Sequence, residues 1–234
     1  MQLGPEEIHI WQVDATQDVE AVLPLSGVEL HKSAQFRLPH DRRRYRTTRT
    51  ALRRILAHYL KIPADRLAIR ESSAGKPHLA APAPLEFNVS HSGGLALIAI
   101  SHQPVGIDLE VMDSSLDWAL LAETHCHPRE QAYIVGDASA GALDRFYRIW
   151  TRKEAYLKGI GTGLTVPPRS FCTLPEWIDA WHLYDWPKPP PGYIAALATP
   201  LSRPTWTICE FAGYIDRHEP MSKPNQRRAP WMTR

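Results

Sequence analysis

Asp108 and Glu110 lie two residues apart in Val105-Gly-Ile-Asp-Leu-Glu110, a stretch that reads as a β-strand. On a strand, side chains at i and i+2 point to the same face, so the two carboxylates face one way. Such a pair is costly against a core unless a cation or hydrogen bonds satisfy it. A hard cation such as Mg²⁺ takes a few carboxylate oxygens and fills its octahedron with water and substrate phosphate. Mn²⁺ suits the same oxygen set. Taken alone, the pair fits a solvated strand face better than a metal site.

A second group sits in Phe146-Tyr-Arg-Ile-Trp-Thr-Arg-Lys-Glu-Ala-Tyr-Leu-Lys158. On a helix Trp150, Glu154 and Lys158 are four apart and share a face. An ordinary i,i+4 ion pair accounts for Glu154 and Lys158; a metal ligand beside a phosphate clamp does so too. Ser90-His91-Ser92 lacks the GxSxG elbow, and neighbours on a strand point opposite ways, which argues against a serine nucleophile with its base. A ligand-facing His91 fits better, because Gly93-Gly94 permits close backbone approach. His125-Cys-His127 has no second pair at zinc spacing and reads as a helix cap or loop. Gly159-Ile-Gly-Thr-Gly163 matches neither GxGxxG nor a P-loop and reads as a helix stop.

The elements that must position these groups follow from periodicity. Ile8–Val13 alternates as an opening strand. A helix from an Asp41 cap to about Lys61 carries Tyr45, Leu52, Ile55, Leu56, Tyr59 and Leu60 on its apolar face, with Arg42, Arg43, Arg44, Arg46, Arg49 and Arg53 around it. Leu67–Arg70 reads as a short strand and Ser72–Pro84 as loop. Leu85–Val89 and Leu95–Ser101 read as strands joined by a turn. Helices are expected at Leu116–Ala122, Pro128–Val135 and Leu143–Gly159, and strands at Phe171–Leu174, Trp181–Trp186, Tyr193–Ala198 and Trp206–Phe211. The pattern is α+β in two similar lobes, 1–110 and 111–215, followed by a basic tail, 216–234, expected to be disordered.

Length and composition agree. The chain has 234 residues, 44% hydrophobic and 22% charged, with a net charge of +2. That suits a globular protein with a real core and gives no bulk reason to bind nucleic acid or membrane. Three cysteines without a CxxC argue against a disulfide framework and for a reducing compartment. Without a basic and apolar leader at the start, a cytoplasmic location is expected.

Four segments, in this order, resemble the 4′-phosphopantetheinyl transferases of the larger, two-lobed (Sfp-type) class. They are Gly75-Lys-Pro77, Phe87-Asn-Val-Ser-His-Ser-Gly93, Gly106-Ile-Asp-Leu-Glu110 and Trp150–Lys158 with Gly161-x-Gly163-Leu164. The resemblance runs from about Lys32 to Ala198. It implies two lobes related by a pseudo-two-fold, each a small, mainly antiparallel sheet with packed helices. It implies transfer of the phosphopantetheine arm of coenzyme A to a serine of an apo acyl or peptidyl carrier protein, releasing 3′,5′-ADP. Asp108, Glu110 and Glu154 would bind Mg²⁺. Lys158 would act on the leaving diphosphate, and Glu154 would help deprotonate the serine. Arg44 and His91 would hold the 3′-phosphate of coenzyme A. Lys76, Pro77 and Ser90 would line the nucleotide site, with Lys153 and Trp150 shaping it and Asp108 reaching coenzyme A through the metal. Upstream of the basic helix only Lys32 matches the family's lysines. A monomer is expected, with an acidic carrier drawn by the arginine helix, Arg46 and Arg49 included.

Two other schemes use the same residues. A metal-dependent nuclease would use the three carboxylates and Lys158 with the arginines on DNA, but leaves Gly75-Lys-Pro77 and Ser90-His91 without a task. A non-catalytic module would use the basic helix alone.

Overall fold

The computed structural model describes residues 1–17, 24–136, 141–186 and 189–211. The expected tail therefore lies outside the described residues. Two helices come early in the chain, α1 (Gly27–Ala34) and α2 (Pro39–Leu60). Around them run β1 (Glu7–Asp14), the hairpin β2 (Ile69–Glu71) and β3 (Pro77–Leu79), then β4 (Glu86–Ser92), β5 (Leu95–Ser101) and β6 (Gly106–Val111). The second part holds α3 (Trp118–His125), α4 (Pro128–Val135), α5 (Ala142–Ile160), β7 (Trp177–Ile178), β8 (Trp181–Asp185), β9 (Tyr193–Thr199) and β10 (Thr205–Glu210).

The strands form two four-stranded sheets, β10-β1-β5-β4 and β6-β9-β8-β7. All pairings are antiparallel except β1 with β10. This is the expected α+β architecture of small, mainly antiparallel sheets with packed helices. The strands do not respect a cut at residue 110, however. β6 pairs with β9 in the second sheet, and β10 returns from the second part to pair with β1.

Period-two alternation sets the layers. On β1 and β5, Trp11, Val13, Ala96, Ile98 and Ile100 face α2, where Ala51, Leu52, Ile55 and Leu56 close the core. The other face, Ile8, Ile10, Leu97 and Ala99, packs on Ile107, Leu109, Ala195 and Leu197 of the second sheet. The far side of that sheet, Ala196 and Ala198, receives Ala155 and Tyr156 of α5. The order is thus α2, sheet, sheet, α5, with α3 and α4 packed against the start of α5.

Several local expectations shift. Helix α2 begins at Pro39, preceded by Leu38, with Asp41 inside the first turn instead of capping it. Part of the expected 72–84 loop forms β3. No strand forms at 171–174, because side chains take its backbone groups. Glu130 accepts the Thr173 N–H, Arg152 donates to the Thr173 carbonyl and Lys153 to that of Phe171. His127 caps α4 with a reciprocal Glu130 contact, as a helix-cap reading of that segment requires. Cys126, Cys172 and Cys209 are free thiols. Among the described residues, no helix is long and apolar enough to cross a membrane.

Candidate active site

β6 faces two ways. Ile107 and Leu109 enter the core between the sheets, so Asp108 and Glu110 point to the opposite side, where α5 lies. In the ladder Asp108 sits opposite Ala196 and Glu110 opposite Ile194, both on the α5 side. Gly106 permits the close approach. A Cβ there would stand 1.9 Å from the Ala155 carbonyl and 2.4 Å from the Gly159 nitrogen, both backbone atoms of α5. Gly159 in turn lies under the Trp181 ring, 2.5 Å from where its Cβ would be.

This approach brings the last two turns of α5 onto the carboxylates. The Lys158 ammonium donates to Asp108 Oδ1 at 2.5 Å and to Ser90 Oγ at 2.9 Å. Ser90 Oγ also donates to Asp108 Oδ1 at 2.9 Å. Asp108 is buried, and its other oxygen, Oδ2, is buried without a hydrogen-bond partner. Glu110 is half-buried and accepts from Ser92 Oγ at 2.7 Å. Burial first, and then the negative charges of Asp108 and Glu154, push the Glu110 carboxyl above the usual range. Glu154 is raised in the same way, by burial and then by Asp108, with Lys158 opposing. Asp108, Glu110, Glu154 and Lys158 thus share one electrostatic neighbourhood.

Among the described residues, no three acidic, imidazole or thiol groups are already drawn together as ion ligands. The donor set nonetheless fits a hard cation. It contains a buried carboxylate oxygen with no partner and two further carboxylates raised by burial and then by the charge of Asp108, with one ammonium among them. Positive charge is what this cluster lacks.

His91 lies on the other side of β4 from Ser90 and Ser92. Desolvation by the protein atoms around it, and then the positive charges of Lys158, Arg49 and Arg44, push its pKa below the usual imidazole value. The imidazole thus shares an electropositive region with Lys158 and the α2 arginines. Arg44 is partly exposed, 3.6 Å from Asp41. Arg49 is bound to Glu71 at 3.0 Å and Lys32 to the same carboxylate at 2.9 Å, which ties α1 and α2 to β2. The arginines of α2 that face outward are Arg42 and Arg43, while Arg46 and Arg49 are partly buried.

Lys76 and Pro77 follow the loop turn at Gly75. The Lys76 ammonium reaches across to the Gly159 carbonyl at 2.9 Å, satisfying a last-turn acceptor of α5. Its burial lowers its pKa. Gly161 and Gly163, both at positive φ, abut Lys76 and Ala74, so these glycines join the two loops besides ending the helix.

Two expected site residues are held by contacts outside the carboxylate cluster. Lys153 is 1% exposed, ion-paired to Glu130 at 2.7 Å and bonded to the carbonyls of Pro168 and Phe171. One residue from Glu154 on α5, it is rotated about 100° away, into the core toward α4, and does not line the carboxylate cleft. Trp150 packs on Phe146 and His125 in the α3–α4–α5 cluster. The residues that sequence reasoning missed are Asn88 and Ser92, whose side-chain oxygens accept the Ile107 and Val111 N–H groups of β6. The alternation Asn88-x-Ser90-x-Ser92 is the signal that could have found both.

Comparison with known proteins accounts for both parts of the chain. Residues 9–103 match the family described as 4′-phosphopantetheinyl transferase, N-terminal, and residues 104–195 the 4′-phosphopantetheinyl transferase superfamily. The 4′-phosphopantetheinyl transferase HetI of Nostoc sp. is 34% identical over 198 residues, covering 76% of this chain and 83% of that protein. The 4′-phosphopantetheinyl transferase gsp of Aneurinibacillus migulanus is 36% identical over 55% of this chain and half of its own length. The 4′-phosphopantetheinyl transferase AcpT of Escherichia coli O157:H7 is 36% identical over 60% of this chain and 70% of its own.

Proposed function

Because the chain belongs to the 4′-phosphopantetheinyl transferase superfamily, we propose that it moves the phosphopantetheine arm of coenzyme A onto a serine of an apo carrier protein, releasing 3′,5′-ADP. The observation that carries this reading is the charge-deficient cluster of Asp108, Glu110 and Glu154 with Lys158 in its midst. The three carboxylates would hold Mg²⁺, with Mn²⁺ an acceptable substitute. When bound, the ion would neutralise the pyrophosphate of coenzyme A and stabilise charge on the leaving diphosphate.

The chain's own groups supply the rest. The serine oxygen forms a bond to the phosphorus that carries pantetheine, and the bridging P–O bond to the adenosine portion breaks. Glu154 would take the serine proton as that bond forms. Lys158, already held by Asp108 and Ser90, donates to the oxygen that gains charge as 3′,5′-ADP leaves. His91 and Arg44 would bind the 3′-phosphate, and Lys76 and Pro77 would border the nucleotide. Catalysis of this kind depends on positioning and fixed charge, which a lattice of buried hydrogen bonds supplies.

The partner is an acidic carrier, drawn to the outward arginines of α2. The protein would work as a monomer, in the cytoplasm and without nucleic acid. The reading is tested by following 3′,5′-ADP released from coenzyme A and an apo acyl carrier protein. One equivalent of nucleotide per carrier, absent with EDTA or without carrier, is the expected result. Nucleotide release that ignores the carrier would point to hydrolysis and overturn it.

A further inference from the structure

The two sheets meet along β4 and β6, an edge strand of each. Side chains, and not a main-chain ladder, make the joint. Asn88 Oδ1 accepts the Ile107 N–H at 3.0 Å, Ser90 Oγ that of Leu109 at 3.2 Å and Ser92 Oγ that of Val111 at 3.0 Å. Each rung advances two residues on both strands, so β4 offers side-chain oxygens where a neighbouring strand would offer carbonyls.

The residue types follow the needs of β6. A serine hydroxyl can accept one hydrogen bond and donate another. Once its oxygen receives the backbone N–H, its own hydrogen is aimed elsewhere. At Ser90 that hydrogen goes to Asp108, and at Ser92 to Glu110 Oε2 at 2.7 Å. At the remaining rung, the equivalent place on β6 is Gly106, which has no side chain to hold, and there β4 carries Asn88.

We propose that Ser92 is a positioning residue for Glu110, the outer rung of a hydrogen-bonded rack that fixes the β6 carboxylates before any ion arrives. This rests on the reading of Asp108, Glu110 and Glu154 as metal ligands. A carboxylate held by a neighbouring hydroxyl loses less freedom on binding a cation, and such outer partners typically change metal affinity by about 10–100-fold. Ser92 touches neither the substrate nor the reacting atoms in this scheme and acts through Glu110 alone.

The test titrates Mg²⁺ calorimetrically into the full chain preloaded with coenzyme A, with no carrier present. Ser92→Ala should weaken Mg²⁺ binding about tenfold, and Ser92→Thr, which keeps both hydrogen bonds, should restore it. In the E110Q background the same serine change should have no further effect, because the two act as one unit. Tyr193→Phe is the structural control. Its hydroxyl accepts the Gly94 N–H at 3.2 Å beside the same joint without touching Glu110. It should lower the melting temperature and leave Mg²⁺ affinity unchanged. Wild-type affinity in Ser92→Ala, or equal weakening with and without E110Q, overturns the inference alone. A wild-type protein that binds no Mg²⁺ and transfers nothing overturns the metal reading too, and the wild-type arm shows that separately.

Discussion

Replacing Gly106 with alanine adds one methyl group where β6 touches α5. The new Cβ would stand 1.9 Å from the Ala155 carbonyl, 2.4 Å from the Gly159 nitrogen and 2.7 Å from its Cα. Real contacts of this kind stay beyond 3.0 Å, so strand and helix must separate by more than the 1.1 Å difference. All three obstacles are backbone, and no rotamer change relieves them. Overpacking of this kind costs about 3 kcal/mol. For a chain of this size that lowers the melting temperature by roughly 6–12 °C. The same shift carries Asp108 away from Lys158, and a misplacement of about 1 Å costs about 100-fold in rate. Thermal melting and single-turnover transfer on the folded protein measure the two effects. A Gly106→Ala protein that melts and turns over like wild type would refute the close approach as what builds the site. A lowered melting temperature with normal turnover would leave Gly106 a purely structural residue.

Other substitutions probe single groups. Asp108→Asn keeps the shape of the buried side chain and its contact with Ser90, and should lower metal-dependent transfer by about 100-fold or more; retained turnover at saturating Mg²⁺ contradicts the ligand assignment. Lys158→Gln should reduce kcat far more than it weakens coenzyme A binding, and a pure binding loss would move its role to the ground state. Lys153→Met leaves the buried Glu130 without its counter-ion, which should cost about 3–5 kcal/mol of stability; an unchanged denaturant midpoint would contradict the core placement of this lysine. His9 is 1% exposed, and burial holds its pKa below 6.5 despite Glu7 nearby. Its neutral form therefore contributes stability above pH 6.5 that is lost as pH falls through the lower folded value. Melting temperatures at pH 7 and pH 5 should diverge less in His9→Gln than in wild type, and an equal drop in both would remove His9 from the acid response.

Strong periodicity made the helices and most strands legible. α4 matches its expected span of Pro128–Val135, and α5, expected at Leu143–Gly159, is extended by one residue at each end. The spacing of Asp108 and Glu110 gave their common face, and the four-residue step gave Glu154 and Lys158. What failed did so for tertiary reasons. The expected strand at 171–174 was undone by Glu130, Arg152 and Lys153, whose side chains satisfy its backbone instead of a neighbouring strand. The resemblance gives Lys153 a part in shaping the nucleotide site, but it is buried against Glu130, a partner 23 positions away on another helix. The exchange of β6 and β10 between the sheets depends on pairing between distant strands, which alternation along a single strand cannot encode.

The central claim is transfer to a carrier serine, and intact-protein mass spectrometry reads it directly. Apo acyl carrier protein would be incubated with this protein, coenzyme A and Mg²⁺, beside an EDTA control and the Asp108→Asn variant. The account predicts a metal-dependent gain of one phosphopantetheine mass on the carrier, localised to one serine and lost in both controls. An unmodified carrier with folded wild-type protein, across acyl and peptidyl carriers alike, would contradict it.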